Sequence, residues 1–138
     1  MTEIFYVTDT DLDVAVFAEL LDASGLGATR PTSDHERLGQ MLRNSGLVMT
    51  ARLDSPDGEA VGVARCLTDS SWCAYLSELA VSRSAQGLGV GAGLLNAVRD
   101  ALGPQVSLIL ASMPDAVGFY EKAGMKALPD AFWFKRET

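Results

Sequence analysis

The chain has 138 residues, 48% of them apolar and 21% charged, and its 11 basic and 18 acidic residues give a formal net charge of −7. This length and composition predict a single globular domain over residues 1–138, large enough to bury its own core. The acidic balance, without any cluster of Lys and Arg, disfavours nucleic acid as a partner and suits an amine or a basic peptide.

The first part of the chain predicts one strand and two helices. The strand covers 3–7, and apolar residues at helical spacing predict helices over 12–21 and 34–44. Thr10 or Asp11 is available to cap the first helix. The glycine-containing stretch between the two helices is predicted to be a loop.

The rest of the chain predicts three antiparallel strands, then a helix, a strand, a second helix and a hairpin. The three strands cover 47–53, 59–67 and 73–81, with polar turns between them. The strand that follows them is apolar enough for burial on both faces. This order of elements predicts an α+β fold with mixed strand directions. The later elements cover 88–102 (helix), 106–111 (strand), 113–122 (helix) and 126–135 (hairpin).

Between residues 81 and 95 an apolar strand runs into a glycine-rich turn and then into a helix. Gln86, Gly87, Gly89 and Gly91 crowd this turn, and glycine lets a backbone bend tightly and approach a ligand closely. At a helix N-terminus several amide groups have no intrahelical partner and the helix dipole adds positive potential, so an anion such as a pyrophosphate is favoured. A glycine-rich turn that serves only close packing is the alternative.

Three pieces of the sequence together resemble the GNAT superfamily of N-acetyltransferases, which use acetyl-coenzyme A (acetyl-CoA). They are the strand run 73–81, the loop Gln86-Gly87-Leu88-Gly89-Val90-Gly91, which meets the pattern Q/R-x-x-G-x-G/A, and the helix end 119–125. The match is close over 73–127, whereas over 1–70 it extends only to the order of elements. The resemblance implies a mixed, mostly antiparallel sheet of about six to seven strands, flanked by four helices.

In enzymes of this resemblance the strands that correspond to 73–81 and 106–111 splay apart at a bulge, and acetyl-CoA lies in the opening. The resemblance implies that the pantetheine arm pairs with the backbone of Leu79, Ala80 and Val81 like an added strand. It also implies a pyrophosphate held by the main-chain amides of the loop, namely those of Gln86, Gly87, Leu88, Gly89, Val90, Gly91 and Ala92.

The implied reaction is direct attack of a primary amine on the thioester. The amine must first lose a proton, so a base is expected, and Glu78 is the first candidate, with Tyr75 as a weaker one. A strand carboxylate that faces solvent or pairs with a neighbour is the alternative for Glu78. The resemblance implies that Tyr120 contacts the cofactor and protonates the leaving thiolate; an aromatic residue that packs on the sheet is the alternative. Ser112 stands where many relatives have asparagine, and it either contacts the pantetheine or caps a helix.

The resemblance places the acceptor pocket at 26–31 together with Phe132 and Trp133, although these aromatics serve equally as core or dimer contacts. The acceptor is expected to be a small-molecule amine or a peptide amine, and a homodimer is common for the resemblance. A Rossmann site is a rival, since Gly87 to Ala92 satisfies G-x-G-x-x-A, but the next strand carries no acidic residue to hold a ribose. A non-catalytic module of the same fold that senses CoA or an amine is the second alternative.

The sequence gives no indication of a membrane span or a metal site. No apolar run approaches the ~20 residues that a bilayer requires, and the first residues lack the basic start of a signal peptide, so we expect a cytoplasmic protein without membrane contact. His35 is the only histidine, and Cys66 and Cys73 fall in strand-like runs. We therefore expect two buried thiols and no metal-ligand cluster.

Overall fold

One sheet organises the computed structural model, which describes residues 2–138. The first four strands pair antiparallel, and the fifth pairs parallel to the fourth. The predicted mixed α+β sheet is therefore confirmed, but with five strands within residues 2–138 instead of six to seven. In their order across the sheet the strands are β1 (Ile4–Thr8), β2 (Leu47–Leu53), β3 (Ala60–Thr68), β4 (Cys73–Val81) and β5 (Ser107–Ile109).

Four α-helices accompany the sheet, as predicted: α1 (Val14–Ser24), α2 (His35–Arg43), α3 (Val90–Leu102) and α4 (Val117–Lys122). The first helix is capped neither by Thr10 nor by Asp11 but by Asp13, whose carboxylate accepts from the Ala15 amide at 2.9 Å. Asp34 caps α2 in the same way, accepting from the Arg37 amide at 3.0 Å. These caps satisfy amides that have no intrahelical partner.

The sheet separates two apolar cores. On one face α1 and α2 bury Phe17, Leu21 and Leu38, and on the other face α3 buries Leu94 and Val98. These five side chains are fully enclosed, and each stabilises the fold by about 1.5–3 kcal/mol relative to exposure. The two cores hold β2, β3 and β4 between layers of helix, so the middle of the sheet is a rigid base for whatever lies at its margin.

The predicted hairpin over 126–135 is wrong. A turn is present, in which the Ala131 amide donates to the Leu128 carbonyl at 3.3 Å, but residues 123–138 form no strand. The three aromatic residues at 132–134 are 93%, 74% and 106% exposed. Strand propensity reports how well a side chain packs against neighbouring strands. Consecutive aromatic residues have that propensity, but this segment has no neighbouring strand to pack against.

The fifth strand is shorter and more exposed than the prediction of a doubly buried strand over 106–111. Ser107 and Ile109 are exposed, and only Leu108 packs against the core beneath α3. The opposite face of the sheet is covered by α1 over β3 and β4. Because this cover does not reach the outer strand, its apolar sequence is not buried on both faces.

The two cysteines differ in environment, which corrects the prediction that both are buried. Cys66 is buried and Cys73 is exposed, and both thiols are free. Burial raises the pKa of the Cys66 thiol to about 11. None of the helices within residues 2–138 has the length and hydropathy that crossing a bilayer requires.

Candidate active site

The sheet opens between β4 and β5. These two strands pair at only three positions, from Cys73 with Ser107 to Tyr75 with Ile109. Beyond that point β4 continues to Val81, whereas β5 has ended. The outer edge of this part of β4 therefore has no strand beside it within residues 2–138, and its backbone groups are available to an extended ligand. The predicted splay between these strands is thus present.

A bulge on β4 lies at the same place. Arg65 on β3 pairs with Glu78, but the next residue, Cys66, pairs with Leu76, so Ser77 is an extra residue on β4. A bulge bends the strand and increases its local twist. The bulge therefore gives a physical reason for the departure of β4 from β5.

A cavity of about 170 Å³ occupies this opening. Its volume is below the roughly 300–1,000 Å³ of pockets that enclose a whole small ligand, so it fits a small reacting group. Its walls come from the α1–α2 loop, from β4, from the segment after β5 and from the region of α4. Six of the lining residues are Leu26, Arg30, Leu76, Leu79, Asp115 and Tyr120.

A larger groove, of about 1130 Å³, lies elsewhere, between the C-terminal end of α3, the start of β5 and residues 123–126. None of the predicted site residues lines it. Size alone would favour this groove as the site. The smaller cavity is the stronger candidate because the bulge, the unpaired edge of β4 and the Tyr120 hydroxyl all converge on it.

The start of α3 is built differently from the starts of α1 and α2. No side chain caps it, and its first intrahelical bond runs from the Gly93 amide to the Gly89 carbonyl at 3.0 Å. The amides of residues 90–92 therefore have no intrahelical acceptor. Where α1 and α2 use carboxylates of their own chain, this helix has no side-chain cap within residues 2–138, an arrangement that favours an anion at its N-terminus.

Two glycines hold the preceding turn in the left-handed region, Gly87 with φ 87° and Gly89 with φ 77°. A Cβ built at either position would meet no atom within 4 Å, so both face open space. Other residues adopt this conformation at a cost of about 1–2 kcal/mol. The turn therefore combines a shape that favours glycine with room for a ligand directly beside its backbone.

Gly91 differs from these two glycines. Its φ lies outside the left-handed region, and a Cβ there would meet the ring of Phe119 at 3.4 Å, at the edge of ordinary van der Waals contact. The Phe119 ring in turn stands edge-on to the Tyr120 ring, with 5.0 Å between their centroids. The first turn of α3 thus lies beside the tyrosine of the cavity, and neither the backbone conformation nor the contacts at Gly91 require a glycine.

Tyr120 is half-buried and lines the cavity. Burial raises the pKa of its phenol above the ordinary value of 10.0, so the hydroxyl keeps its proton at neutral pH. No hydrogen bond joins this hydroxyl to another group within residues 2–138. The phenol is therefore available as a proton donor to a ligand in the cavity.

Glu78 follows the bulge on β4, and its side chain is only 1% exposed. Arg65 donates to both carboxylate oxygens, and Oε2 also accepts from Arg30 Nε at 2.7 Å and from the Ser77 hydroxyl at 2.7 Å. Burial alone would raise the pKa of this carboxyl. The hydrogen bond and charge of Arg65, with the hydrogen bonds from Arg30 and Ser77, outweigh burial and lower the pKa.

This geometry does not favour Glu78 as the base. A general base needs a free lone pair within reach of the acceptor and a pKa near the working pH. The Glu78 carboxylate has a lowered pKa, is occupied by two arginines and does not line the cavity. Tyr75, the weaker candidate, is 42% exposed and also lies outside the lining. The alternative in which the carboxylate pairs with neighbours describes what the structure shows.

The remaining predicted residues divide between those at the cavity and those away from it. From the expected acceptor range 26–31, Leu26 and Arg30 line the cavity, whereas the aromatic residues 132 and 133 do not. The Ser112 hydroxyl donates to the carbonyl of Met113 at 2.8 Å and caps no helix. From the backbone groups expected to meet the pantetheine arm, only Leu79 also contributes to the lining.

Several contributors were not singled out from the sequence, and three of them illustrate why. Asp115 and Leu110 line the cavity, and Arg65 holds Glu78 from the neighbouring strand. A signal for Arg65 was present, because it is the one charged residue within the apolar strand 60–68. A charge at such a position is almost never fully buried unless it is paired. No comparable local signal marks the other two.

An opening between two parallel strands, a bulge, an uncapped helix start and a free phenol thus lie together at one margin of the sheet. The family model of the acetyltransferase (GNAT) domain matches residues 22–135. The chain therefore belongs to the GNAT family of acetyltransferases.

Individual relatives agree with this assignment. Serotonin N-acetyltransferase 2, chloroplastic, from Oryza sativa subsp. japonica is 34% identical over 127 residues, which is 90% of this chain and 62% of that protein. The chain thus spans about three fifths of that relative's length. A crystal structure of a proposed acetyltransferase from Deinococcus radiodurans R1 is 28% identical, covers 96% of this chain and 88% of that one, and has a TM-score of 0.73.

An aminoglycoside N-acetyltransferase solved in complex with CoA shares the fold. The match covers 100% of this chain and 96% of that one, with a TM-score of 0.67 and 16% identity. At this identity the likeness concerns the fold alone.

Proposed function

We propose that the protein is an acetyl-CoA-dependent N-acetyltransferase that moves an acetyl group to a primary amine by direct attack. The observation that carries the proposal is the coincidence, at one end of β4, of the opening between β4 and β5 with the uncapped start of α3. The family membership and the CoA complex of a protein with this fold support it. These features fit a ligand with a negatively charged diphosphate and an extended amide-containing arm.

The residues that would hold this cosubstrate are mostly backbone. Amides from Gly87 to Ala92 would bind the diphosphate, and the free edge of Leu79 to Val81 would pair with the extended arm. The predicted contribution of the Gln86 amide is excluded, because this amide donates to the Arg83 carbonyl at 3.3 Å. Acetyl-CoA, when bound, supplies the thioester carbonyl that the amine attacks. The diphosphate site depends on the turn around Gly87 and Gly89 more than on any side chain.

The acceptor side of the cavity contains one carboxylate among the described lining residues, that of Asp115. We assign it the attraction of the cationic amine. An alkylammonium with a pKa near ~10.4 needs about 4.6 kcal/mol to reach the free base at pH 7. Because Glu78 is enclosed by arginines, we assign the removal of this proton to water at the cavity mouth, from which it passes to solvent.

The chemical step then balances. The amine nitrogen forms the new N–C bond, the C–S bond breaks, and the sulfur leaves with its electron pair. The nitrogen then releases its surplus proton to solvent, which leaves a neutral amide. Tyr120 donates its phenolic proton to the thiolate and recovers a proton from solvent, so the products are the amide and the free thiol. The half-buried, neutral phenol on the cavity wall suits this role.

For the acceptor we propose arylalkylamines as the first class to test, since the rice relative's name specifies serotonin. The cavity accommodates the reacting amine, and Leu26 offers it an apolar wall. Because the chain spans only part of that relative, other small amines and peptide amines belong to the same panel.

Two measurements test the proposal. Acetyl-CoA at about a hundredfold over its Kd should add about 2.7 kcal/mol of stability, and NADH at the same concentration should add none. Acetyl transfer to serotonin, tryptamine, spermidine and a peptide N-terminus should then be followed through release of free CoA. Stabilisation by NADH alone would contradict the proposal. Acetyl-CoA binding without turnover on a wide amine panel would favour a sensor of the same fold.

A further inference from the structure

We infer that Arg30 is a positioning residue for acetyl transfer: it locks the bulge of β4 to the loop between α1 and α2, and so fixes the acceptor side of the cavity. The kinetic part of this inference rests on the proposed function. The structural part rests on the contacts that follow.

The guanidinium of Arg30 joins its own loop to two consecutive residues of the bulge. Its Nε donates to Glu78 Oε2 at 2.7 Å, and its Nη2 donates to the Ser77 carbonyl at 2.7 Å. Its Nη1 donates to the carbonyl and the hydroxyl of Thr29, at 3.2 and 3.0 Å. The side chain is therefore held at each of its three nitrogens, although it is 23% exposed.

The bond to the Ser77 carbonyl has a particular consequence. Ser77 is the extra residue of the bulge and has no partner on β3. A carbonyl at such a position is outside the regular ladder, and its direction is set by whatever donor reaches it. Arg30 is that donor, so it determines how the strand backbone turns as it enters the opening.

The two segments that Arg30 joins, the α1–α2 loop and the bulge of β4, both form the cavity wall. Arg30 and Ser77 line it directly, as do Leu26 from the same loop and Leu79 two residues after the bulge. A shift of the guanidinium would move the loop and the strand apart, and would change the distance between an acceptor on one wall and a thioester on the other. The start of α3 receives no hydrogen bond from Arg30, so diphosphate binding there should be independent of this lock, whereas the β4 edge that would pair with the extended arm depends on it.

The fold should survive loss of Arg30. Glu78 would still be paired with the buried Arg65, which donates to both of its oxygens. The buried carboxylate therefore keeps a counter-charge on the inner side. This separates Arg30 from Arg65, whose removal would leave the carboxylate with a single, partly exposed partner.

The test compares Arg30→Met with Arg52→Met. Arg52 is a matched control: it is 19% exposed, it pairs with Asp9 at 2.6 Å, and it donates to the Gly58 carbonyl at 3.0 Å. It lies on β2 and does not line the cavity. Both variants should lose a similar amount of thermal stability. Any difference between them in kcat or KM then arises from where the arginine lies and not from lost stability.

With acetyl-CoA and serotonin, or the best amine of the panel, Arg30→Met should lower kcat about tenfold to a hundredfold and raise the KM of the amine, as misplacement of reacting groups does. The Kd of ADP by calorimetry, a probe that carries the diphosphate without the extended arm, should stay within about twofold, a difference far below one tenfold step of affinity. Arg30→Lys should restore only part of the loss, because an ammonium cannot reproduce the planar fork that meets both bulge groups. Arg52→Met should keep the wild-type kcat and KM.

Amide hydrogen exchange gives a second readout that needs no acceptor. Arg30→Met should speed exchange in segments 26–30 and 76–79 and leave segment 86–92 unchanged, whereas Arg52→Met should leave all three unchanged. Unchanged exchange in 26–30 and 76–79 would overturn the inference, and so would faster exchange with wild-type kinetics. If the wild-type protein transfers acetyl to no amine, the proposed function fails, and exchange alone decides whether Arg30 holds the bulge.

Discussion

The two sides of β4 differ in how their apolar surface is covered. On one side, β2 and β3 lie between α1, α2 and α3, and side chains such as Phe17, Val63 and Leu94 are fully enclosed. On the other side, β5 has three residues, and the chain after α4 forms no strand within 123–138. Similar apolar sequence is thus a core in one region and a surface in the other. What differs is whether a neighbour is present to complete the burial.

The cavity lies on the border between these regions. One wall is β4, fixed by an ion-paired cluster that joins β3, β4 and the α1–α2 loop. The other wall is the segment from Leu110 to Tyr120, which contains only a short helix. One wall of the cavity is therefore held by paired charges, whereas the other is held only by lighter packing.

Substitutions that remove pairing should have their largest effect in the covered region. Arg65→Met should cost about 3–5 kcal/mol of unfolding free energy, because it leaves Glu78 buried with one partly exposed partner. Arg136→Met, in the exposed end of the chain, is the control and should leave the urea midpoint unchanged. Equal losses in both variants would show that the two regions are equally packed.

The turn before α3 can be tested by pairing two left-handed glycines. Gly89→Val should weaken CoA binding at least about a hundredfold, or about 2.7 kcal/mol, because the new side chain occupies the open space in front of the amides. Gly124→Val is the matched control, since Gly124 has φ 94° and equally open surroundings but follows α4. Calorimetry should show weaker CoA binding for Gly89→Val than for Gly124→Val, even if both variants lose the same amount of stability. Normal CoA binding by Gly89→Val would show that the diphosphate does not bind at this turn.

Loss of the Tyr120 hydroxyl should lower kcat strongly and change the stability of the fold little. Tyr120→Phe should lower kcat about tenfold to a hundredfold, since the leaving thiolate loses its proton donor. Burial raises the pKa of Tyr120 above 10.0, so the donor is present below that value and is lost only as pH rises through the higher folded pKa. The ratio of wild-type to variant kcat should therefore stay constant around neutral pH and narrow only as pH rises through the raised pKa of the phenol. A variant with full turnover across this range would support a packing role for the ring.

The smallest effect is expected from the end of the chain. Deletion of 128–138 removes residues that are exposed throughout, including the aromatic side chains at 132–134. Thermal unfolding should shift by less than about 4 °C, which corresponds to less than about 1 kcal/mol for a domain of this size. A much larger decrease in the unfolding temperature would show that this segment packs against the protein in solution and is buried like the residues beneath the helices.

The elements that the sequence predicted well are those whose signals are local. The run from β4 into α3 has its apolar strand, its glycines and its helix within a short stretch, and its position is as predicted. The cap of α1 was misplaced to Thr10 or Asp11 because several polar residues precede the helix and only the geometry selects Asp13. The prediction of a hairpin over 126–135 was wrong for the opposite reason, since its formation depends on a neighbouring strand that the local sequence does not specify.

The role of Glu78 could not be derived from the sequence for a similar reason. Its partners come from a loop 48 residues earlier and from a strand 13 residues earlier. The bulge also breaks the alternation from which a facing direction is ordinarily derived. A carboxylate near a predicted thioester therefore suggested a base, whereas three-dimensional pairing made it part of the scaffold.

Ser77, the extra residue of the bulge, determines how the fold would respond to a deletion in β4. Deleting Ser77 would make the pairs Cys66–Leu76 and Arg65–Glu78 consecutive, so the ladder between β3 and β4 would become regular with its register unchanged. Glu78 would stay opposite Arg65, but the bend would be lost and the edge would straighten toward its parallel neighbour. In this protein the opening between β4 and β5 thus depends on one extra residue in β4. A substitution leaves the number of residues unchanged and could not remove it.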